Sequence, residues 1–355
     1  MRSVAVDTEN KSYSVLIEEG ILENPAEYLR KVWTKRRCVI LTDTNVYPLY
    51  AGKVSENLSE AGFENMIITV PAGERSKSWE TLSSVISRMA DFGLTRGDGL
   101  IALGGGVVGD LGGLCASLYM RGISFVQFPT SLLAQVDSSV GGKTAIDIDQ
   151  GKNLVGTFHQ PDLVLIDPMA LRTLDERVTV EGYAEVVKCA AMKGGTFWKL
   201  VCGIEAPGEI LKHAPELIQQ SVAFKADVVS RDEKEGGLRR ILNFGHSIGH
   251  AVELLSAGRL LHGEAVSIGL AAVNRIFEQH GLTEEGVASA VCGRLAAVGL
   301  PLTDELLDDL RVLEVMNHDK KVSKSSLTFV YLKKIGEPAA FTVSLDELAE
   351  FIGKI

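Results

Sequence analysis

Leu100-Ile101-Ala102-Leu103-Gly104-Gly105-Gly106-Val107-Val108-Gly109-Asp110 carries an uncharged apolar run straight into a glycine-rich turn. The turn satisfies GxGxxG directly after a strand-like segment. In that context glycines let backbone N–H groups approach a pyrophosphate at a helix N-terminus. Such a turn also serves tight strand-to-helix packing, so its surroundings decide its meaning. Further strand-like runs stand at residues 38–42, 66–70, 124–128 and 163–166, with helical patterns at 46–61 and 77–92. This alternation predicts a largely parallel sheet covered by helices on both faces. Residues 4–6 and 13–17, joined through Glu9-Asn10-Lys11, read as an edge hairpin.

Beyond Asp167-Pro168 the pattern turns almost wholly helical from about residue 171 to 310. Breaks fall at Gly194-Gly195, Pro207-Gly208 and Gly236-Gly237. A strand pair at 327–331 and 340–343 precedes a last helix at 345–352. The expected architecture is an α/β N-terminal Rossmann-like nucleotide-binding domain, residues 1–168. A mainly α-helical metal- and substrate-binding domain, residues 169–355, follows it.

At 355 residues two domains are the natural expectation. A formal charge of −10 argues against broad nucleic-acid binding, which needs a basic face to neutralise phosphates. The five cysteines are odd in number and widely spaced, without a CxxC pair, which favours a reducing cytoplasm over a disulfide framework. The N-terminus lacks the apolar core of a signal peptide. No window approaches the roughly 18 uncharged apolar residues of a membrane span.

The strand at 124–128 ends in Pro129-Thr130, without the acid that usually holds a ribose. The natural ribose-binding acid is Asp43, at the end of the earlier strand, so a dinucleotide site here uses a different topology from the common one. Pro71-Ala72-Gly73-Glu74-Arg75-Ser76-Lys77 offers a second loop at the same sheet edge.

A second signal lies in Asn243-Phe244-Gly245-His246-Ser247-Ile248-Gly249-His250, followed by His262-Gly263-Glu264, which gathers three of the seven histidines. His246 and His250 stand four apart in a helical segment, their Cβ atoms about 5–6 Å apart on one face. Imidazole is both the commonest metal ligand and the side chain that titrates near neutral pH, so a metal site and a proton-transfer site are both open readings. Glu185-Val186-Val187-Lys188 sets a carboxylate and an ammonium on one helix face between apolar neighbours. One Glu and two His make the usual three-ligand set of a catalytic zinc. Asp137-Ser138-Ser139-Val140-Gly141-Gly142-Lys143-Thr144 and Gly151-Lys152-Asn153 place lysines beside glycines, a setting that suits an anionic oxygen. Singly, each reads as a surface lysine on a flexible loop, and Asp137 reads as a helix N-cap. Together with Lys188, Lys225, Arg239 and Lys320-Lys321 they would make a basic pocket inside an acidic protein.

Several of these blocks, in this order, resemble the 3-dehydroquinate synthase family. They are Pro129-Thr130-Ser131-Leu132-Leu133-Ala134-Gln135-Val136-Asp137 running on to Ala145, Gly151-Lys152-Asn153, Ala184 to Lys188, Leu242 to His250, His262-Gly263-Glu264 and Asp319-Lys320-Lys321. The likeness covers about residues 40 to 335. It implies an enzyme using NAD and a divalent metal, normally zinc with cobalt as the alternative, that turns 3-deoxy-D-arabino-heptulosonate 7-phosphate into 3-dehydroquinate and phosphate. NAD oxidises the C5 hydroxyl, phosphate leaves by β-elimination and the hydride returns. The ring then opens and an internal aldol step closes the carbocycle.

The resemblance makes Glu185, His246 and His262 the metal ligands and leaves His250 to proton transfer or hydroxyl orientation. It gives Lys143, Asn153, Lys188, Lys225, Arg239 and Lys320 to the substrate's carboxylate, hydroxyls and phosphate, with Asn243 in the same catalytic set. Lys152 stands near both cofactor and substrate. The nucleotide side is Asp43, Asn45, Glu74, Lys77, Gly105, Gly106, Val107, Val108, Gly109, Asp110, Thr130 and Ser131, with Lys143. A homodimer is implied, with no nucleic acid or membrane partner. The rival expectations are a related cyclase making another carbocycle and a metal-dependent polyol dehydrogenase.

Overall fold

A computed structural model describes residues 1–34, 36–318 and 326–353. It contains two compact units, Met1–Leu174 with Lys225–Lys234, and Asp175–Phe224 with Glu235–Ile355. Among the described residues nine strands belong to the first: β1 (Arg2–Asp7), β2 (Ser12–Ile17), β3 (Arg37–Asp43), β4 (Glu64–Val70), β5 (Gly99–Gly104), β6 (Ser124–Pro129), β7 (Lys143–Ile148), β8 (Gly151–Phe158) and β9 (Leu163–Ile166). Seven form one sheet in the order β1-β2-β9-β6-β5-β3-β4. Its pairs are parallel except the β1–β2 hairpin at the edge.

The central strands are apolar without alternation because both faces are covered. Val39, Leu41, Leu100 and Ala102 pack on one side with helices α1 (Trp79–Asp91) and α2 (Gly106–Leu118), through Val85, Met89, Leu111 and Leu114. Their neighbours Cys38, Ile40, Ile101 and Leu103 point the other way, onto Leu29, Val54 and Leu58. Register sets Asp43 opposite Val70 and Gly104 opposite Pro129, so the loops after β3, β4, β5 and β6 share one edge.

Two expectations are corrected here. Lys143 and Lys152-Asn153 do not lie on flexible loops: they belong to an antiparallel hairpin, β7–β8, in which Lys143 pairs with Phe158. Asp137 is not a helix N-cap. It lies inside a π-helical turn, Ala134–Ser138, and accepts from the Lys225 ammonium. The helical stretch expected over 46–61 also opens with a wide turn, Tyr47–Ala51, before regular helix at Gly52–Glu60. Pro48 lies in that turn and has no N–H to give a ladder.

The second unit is helical, with α3 (Glu176–Lys193), α4 (His246–Leu255) and α5 (His262–Gln279) around its site, plus the antiparallel pair β10 (Ser326–Lys334) and β11 (Glu337–Ser344). Helix α3 is buried from Glu181 to Met192, which explains the apolar residues on either side of Glu185 and Lys188. Gly269 of α5 lies so close to Gly245 O that a Cβ there would collide with it. Only glycine permits this approach of α5 to the start of α4. Among the described residues no helix is long and apolar enough to cross a membrane.

Candidate active site

The glycine turn leads from β5 directly into α2. The first helical bond of the turn is from Gly109 N–H to Gly105 O at 3.0 Å, so the N–H groups of Gly106, Val107 and Val108 stand ahead of it. No side chain caps this helix start among the described residues. An uncapped helix N-terminus at the carboxyl edge of a parallel sheet fits a pyrophosphate. Thr130 N–H donates to Gly104 O at 3.0 Å, and Ser131 Oγ accepts from Ala134 N–H at 3.3 Å, which fixes the neighbouring loop. Asp43, at the end of β3, accepts from Asn45 and Val46 N–H at 2.8 and 3.0 Å and so shapes its own turn.

Beside this edge Lys77 is buried. Its Nζ lies 3.0 Å from Asp110 Oδ2, 3.3 Å from Glu74 Oε1 and 3.9 Å from Asp147 Oδ1, and donates to Asn153 Oδ1. Burial opposes the Lys77 charge, yet Asp110, Glu74 and Asp147 hold its pKa above the ordinary lysine value. Burial also pushes the Asp110 carboxyl up, against the pull of Lys77. Asp147 in turn accepts from Asn153 N–H at 2.7 Å, so one network spans the β4 loop, α2, β7 and β8. Lys152 is exposed, 3.9 Å from Glu74 Oε1, and Lys143 is exposed at the head of β7. Lys225, also in this unit, donates to Asp137 O at 2.7 Å and Oδ1 at 2.8 Å.

In the second unit α3, α4 and α5 bring Glu185, His246, His250 and His262 together. Glu185 Oε1 lies 3.4 Å from His246 Nε2 and 3.7 Å from His262 Nε2. Ligand atoms about 2.0–2.2 Å from one tetrahedral zinc stand about 3.4 Å apart, so these separations fit a shared ion. Among the described residues no group donates a hydrogen bond to Glu185 Oε1, although the atom is buried. The Lys188 ammonium sits 2.5 Å from Oε2 and donates to Leu242 O at 2.8 Å. The ligand atoms of His246, His250 and His262 lie within 4.8 Å of one another, and His250 is the exposed member.

Both ligand-type histidines are anchored through Nδ1. For His246 the partner is Phe244 O at 3.0 Å, and for His262 it is Glu253 Oε2 at 2.9 Å. Burial raises and Lys188 and His262 lower the Glu185 pKa, which ends at about 2. Burial opposes a proton on His262, yet Glu185 and Glu253 raise its pKa to about 10. The cluster thus favours a positive charge at its centre, from a proton or from a metal. The turn bearing His262 is fixed by Gly263 N–H donating to Glu181 Oε2 and Leu261 N–H to Glu264 Oε2, both at 2.8 Å. Arg239 is buried, and Asn243 Nδ2 donates to Glu235 Oε1 at 2.7 Å. Lys320 lies outside the described residues.

Sequence reasoning passed over Glu181, Glu253 and Asp147. Glu253 was legible, because it stands three residues after His250 and seven after His246, on the same helix face. Asp147 had no signal until its hairpin was known.

Two family descriptions match the chain, 3-dehydroquinate synthase N-terminal over residues 67–181 and 3-dehydroquinate synthase C-terminal over residues 182–322. A 3-dehydroquinate synthase of Lactiplantibacillus plantarum is 52% identical over 355 residues, covering 100% of this chain and 99% of the relative. Among solved structures, 2-deoxy-scyllo-inosose synthase complexed with carbaglucose-6-phosphate, NAD+ and Co2+ matches with a TM-score of 0.89 at 25% identity, over 99% of both chains. The 2-epi-5-epi-valiolone synthase of Streptomyces hygroscopicus, with NAD+ and Zn2+ bound, matches with a TM-score of 0.85 at 28% identity, over 99% of this chain and 98% of its own.

Proposed function

The chain belongs to the 3-dehydroquinate synthase family, and we infer that it converts 3-deoxy-D-arabino-heptulosonate 7-phosphate into 3-dehydroquinate and phosphate. That makes it a phosphate-eliminating carbon–oxygen lyase of aromatic amino-acid biosynthesis. Its cofactors are NAD and a divalent metal, zinc or cobalt. When bound, NAD supplies a transient oxidation at C5 and the metal polarises the oxygens there. The sequence of oxidation, β-elimination, re-reduction, ring opening and aldol closure is redox-neutral overall.

The first unit would hold the nucleotide, with Gly105, Gly106, Val107, Val108 and Gly109 along its pyrophosphate and Asp43 and Asn45 toward its ribose. Glu74, Lys77, Asp110, Thr130 and Ser131 would fix the shape of that edge. Lys143, Lys152, Asn153 and Lys225 would supply donors and positive charge for substrate oxygens. In the second unit Glu185, His246 and His262 would hold the metal. Lys188, Arg239 and Asn243 would supply further donors, and Lys320 is kept in that set. His250 would hold or move a proton at a substrate hydroxyl. No dedicated general-base carboxylate is required, because the substrate's own phosphate accepts a proton during elimination.

The observation that carries this reading is the buried Glu185 Oε1 facing two imidazole nitrogens at metal-sharing separations. It is tested by phosphate release from the heptulosonate phosphate with far less NAD than product formed, before and after chelation. Full activity after thorough metal removal would contradict it. Net NADH from glycerol without phosphate release would favour a dehydrogenase. We further propose a cytoplasmic homodimer with no nucleic acid or membrane partner, and light scattering would test the dimer.

A further inference from the structure

We propose that Glu253 is a positioning residue that fixes the tautomer of His262, holding the proton on Nδ1 so that Nε2 is left to bind the metal. His246, His250 and Glu253 occupy positions i, i+4 and i+7, so one helix face delivers two imidazoles and a carboxylate to the same place. Glu253 Oε2 lies 2.9 Å from His262 Nδ1, and its side chain is 12% exposed. An ionised carboxylate can only accept, so Nδ1 must carry the hydrogen. The other nitrogen, Nε2, faces Glu185 Oε1 at 3.7 Å.

His246 is arranged the same way, but its Nδ1 partner is the neutral carbonyl of Phe244. The two imidazoles therefore differ in the charge behind them. A carboxylate behind an imidazole makes its free nitrogen a stronger donor to a cation, and removing such a partner typically weakens metal binding about 10–100-fold. The fold also holds the rest of the His262 turn, through Glu181 on Gly263 N–H and Glu264 on Leu261 N–H. Those two carboxylates place the backbone, while Glu253 holds the ring through Nδ1. Its effect is therefore separable from that of the turn.

The inference rests on Glu185, His246 and His262 forming the metal site, and its test keeps the two claims apart. Zinc affinity is measured on metal-free wild type, Glu253→Gln and Glu253→Ala by competition with a chromophoric chelator. Glu253→Ala should weaken zinc about 10–100-fold. Glu253→Gln keeps an acceptor for Nδ1–H and should lose less than about tenfold, with the Nδ1–H signature of His262 retained, a readout that packing alone would not set. Equal losses in both variants, or no loss in Glu253→Ala, would overturn the proposal.

A second measurement needs no variant. In metal-free wild type labelled with 15N-histidine, at a pH high enough to leave His262 neutral, its nitrogen shifts should report Nδ1–H. An Nε2–H signature would overturn the inference whatever the variants do. If wild type binds no zinc while His262 is Nδ1–H, the metal reading fails and the tautomer assignment stands.

Discussion

Lys77 in the first unit and Glu185 in the second are both buried charges, with side chains 4% and 1% exposed, in different company. Lys77 meets Glu74, Asp110, Asp147 and Asn153, acceptors from four separate segments. Glu185 meets the Lys188 ammonium at Oε2; its Oε1 faces two imidazole nitrogens at 3.4 and 3.7 Å without accepting a hydrogen bond among the described residues. Those imidazoles are already anchored through their other nitrogens. In the first arrangement the ammonium is surrounded by acceptors, and its effect is to tie β7–β8 to the sheet edge. The second has its donor atoms aligned and one buried oxygen unsatisfied, which is what a site for an added cation requires.

The contrast breaks most directly at Glu185. Glu185→Gln should cut turnover roughly a thousandfold or more, because it removes a ligand from a centre worth several kcal/mol of transition-state stabilisation. Elemental analysis should show zinc falling with it. A variant that keeps its full zinc content would assign the ion to the three histidines instead.

Lys77→Met should show the opposite profile. Removing the buried cation from the partly buried Asp110 and Asp147 carboxylates costs up to about 3–5 kcal/mol of stability, read by denaturant titration, while zinc content is unchanged. Adding Asp110→Asn should recover part of the loss. No recovery would mean that Lys77 acts through the packing of its stem.

His250→Ala sharpens the contrast inside the second unit. Turnover should fall about a hundredfold, as expected for a lost acid–base group, with zinc content near that of wild type. Metal loss from this variant would make His250 a ligand.

The smallest effect concerns Glu181, whose carboxyl burial raises to about 7. Between the ordinary carboxylate value and that pH the folded state binds more protons than the unfolded, so stability falls as pH rises through this window. In the metal-free protein Glu181→Gln should remove up to about 3 kcal/mol of that decline. Parallel stability–pH curves for the two proteins would contradict the assignment.

The parts of the fold governed by continuous apolar burial were legible in the sequence. Leu100 to Leu103 and its counterparts announced the parallel sheet because both faces of such strands are covered. The β7–β8 hairpin was not legible. No residue from Gly151 to Phe158 is buried, and Leu154 and Phe158 are exposed. Its glycines therefore read as loop. Glu185, His246 and His262 were legible as chemistry, since their types and spacing already suit zinc. Their anchors were harder to see, because Phe244 acts through its backbone carbonyl and Glu181 through a partner 82 residues away. Asp137 was misread because its partner Lys225 is 88 residues distant, and local sequence offered a cap instead.

The central claim is that Glu185, rather than His250, completes the metal site with His246 and His262. Anomalous diffraction at the zinc edge, from crystals of the zinc-loaded protein, tests it most directly. The account predicts a single strong peak bonded to Glu185 Oε1, His246 Nε2 and His262 Nε2, with His250 outside bonding distance. A peak bonded to His250 and not to Glu185 would contradict it.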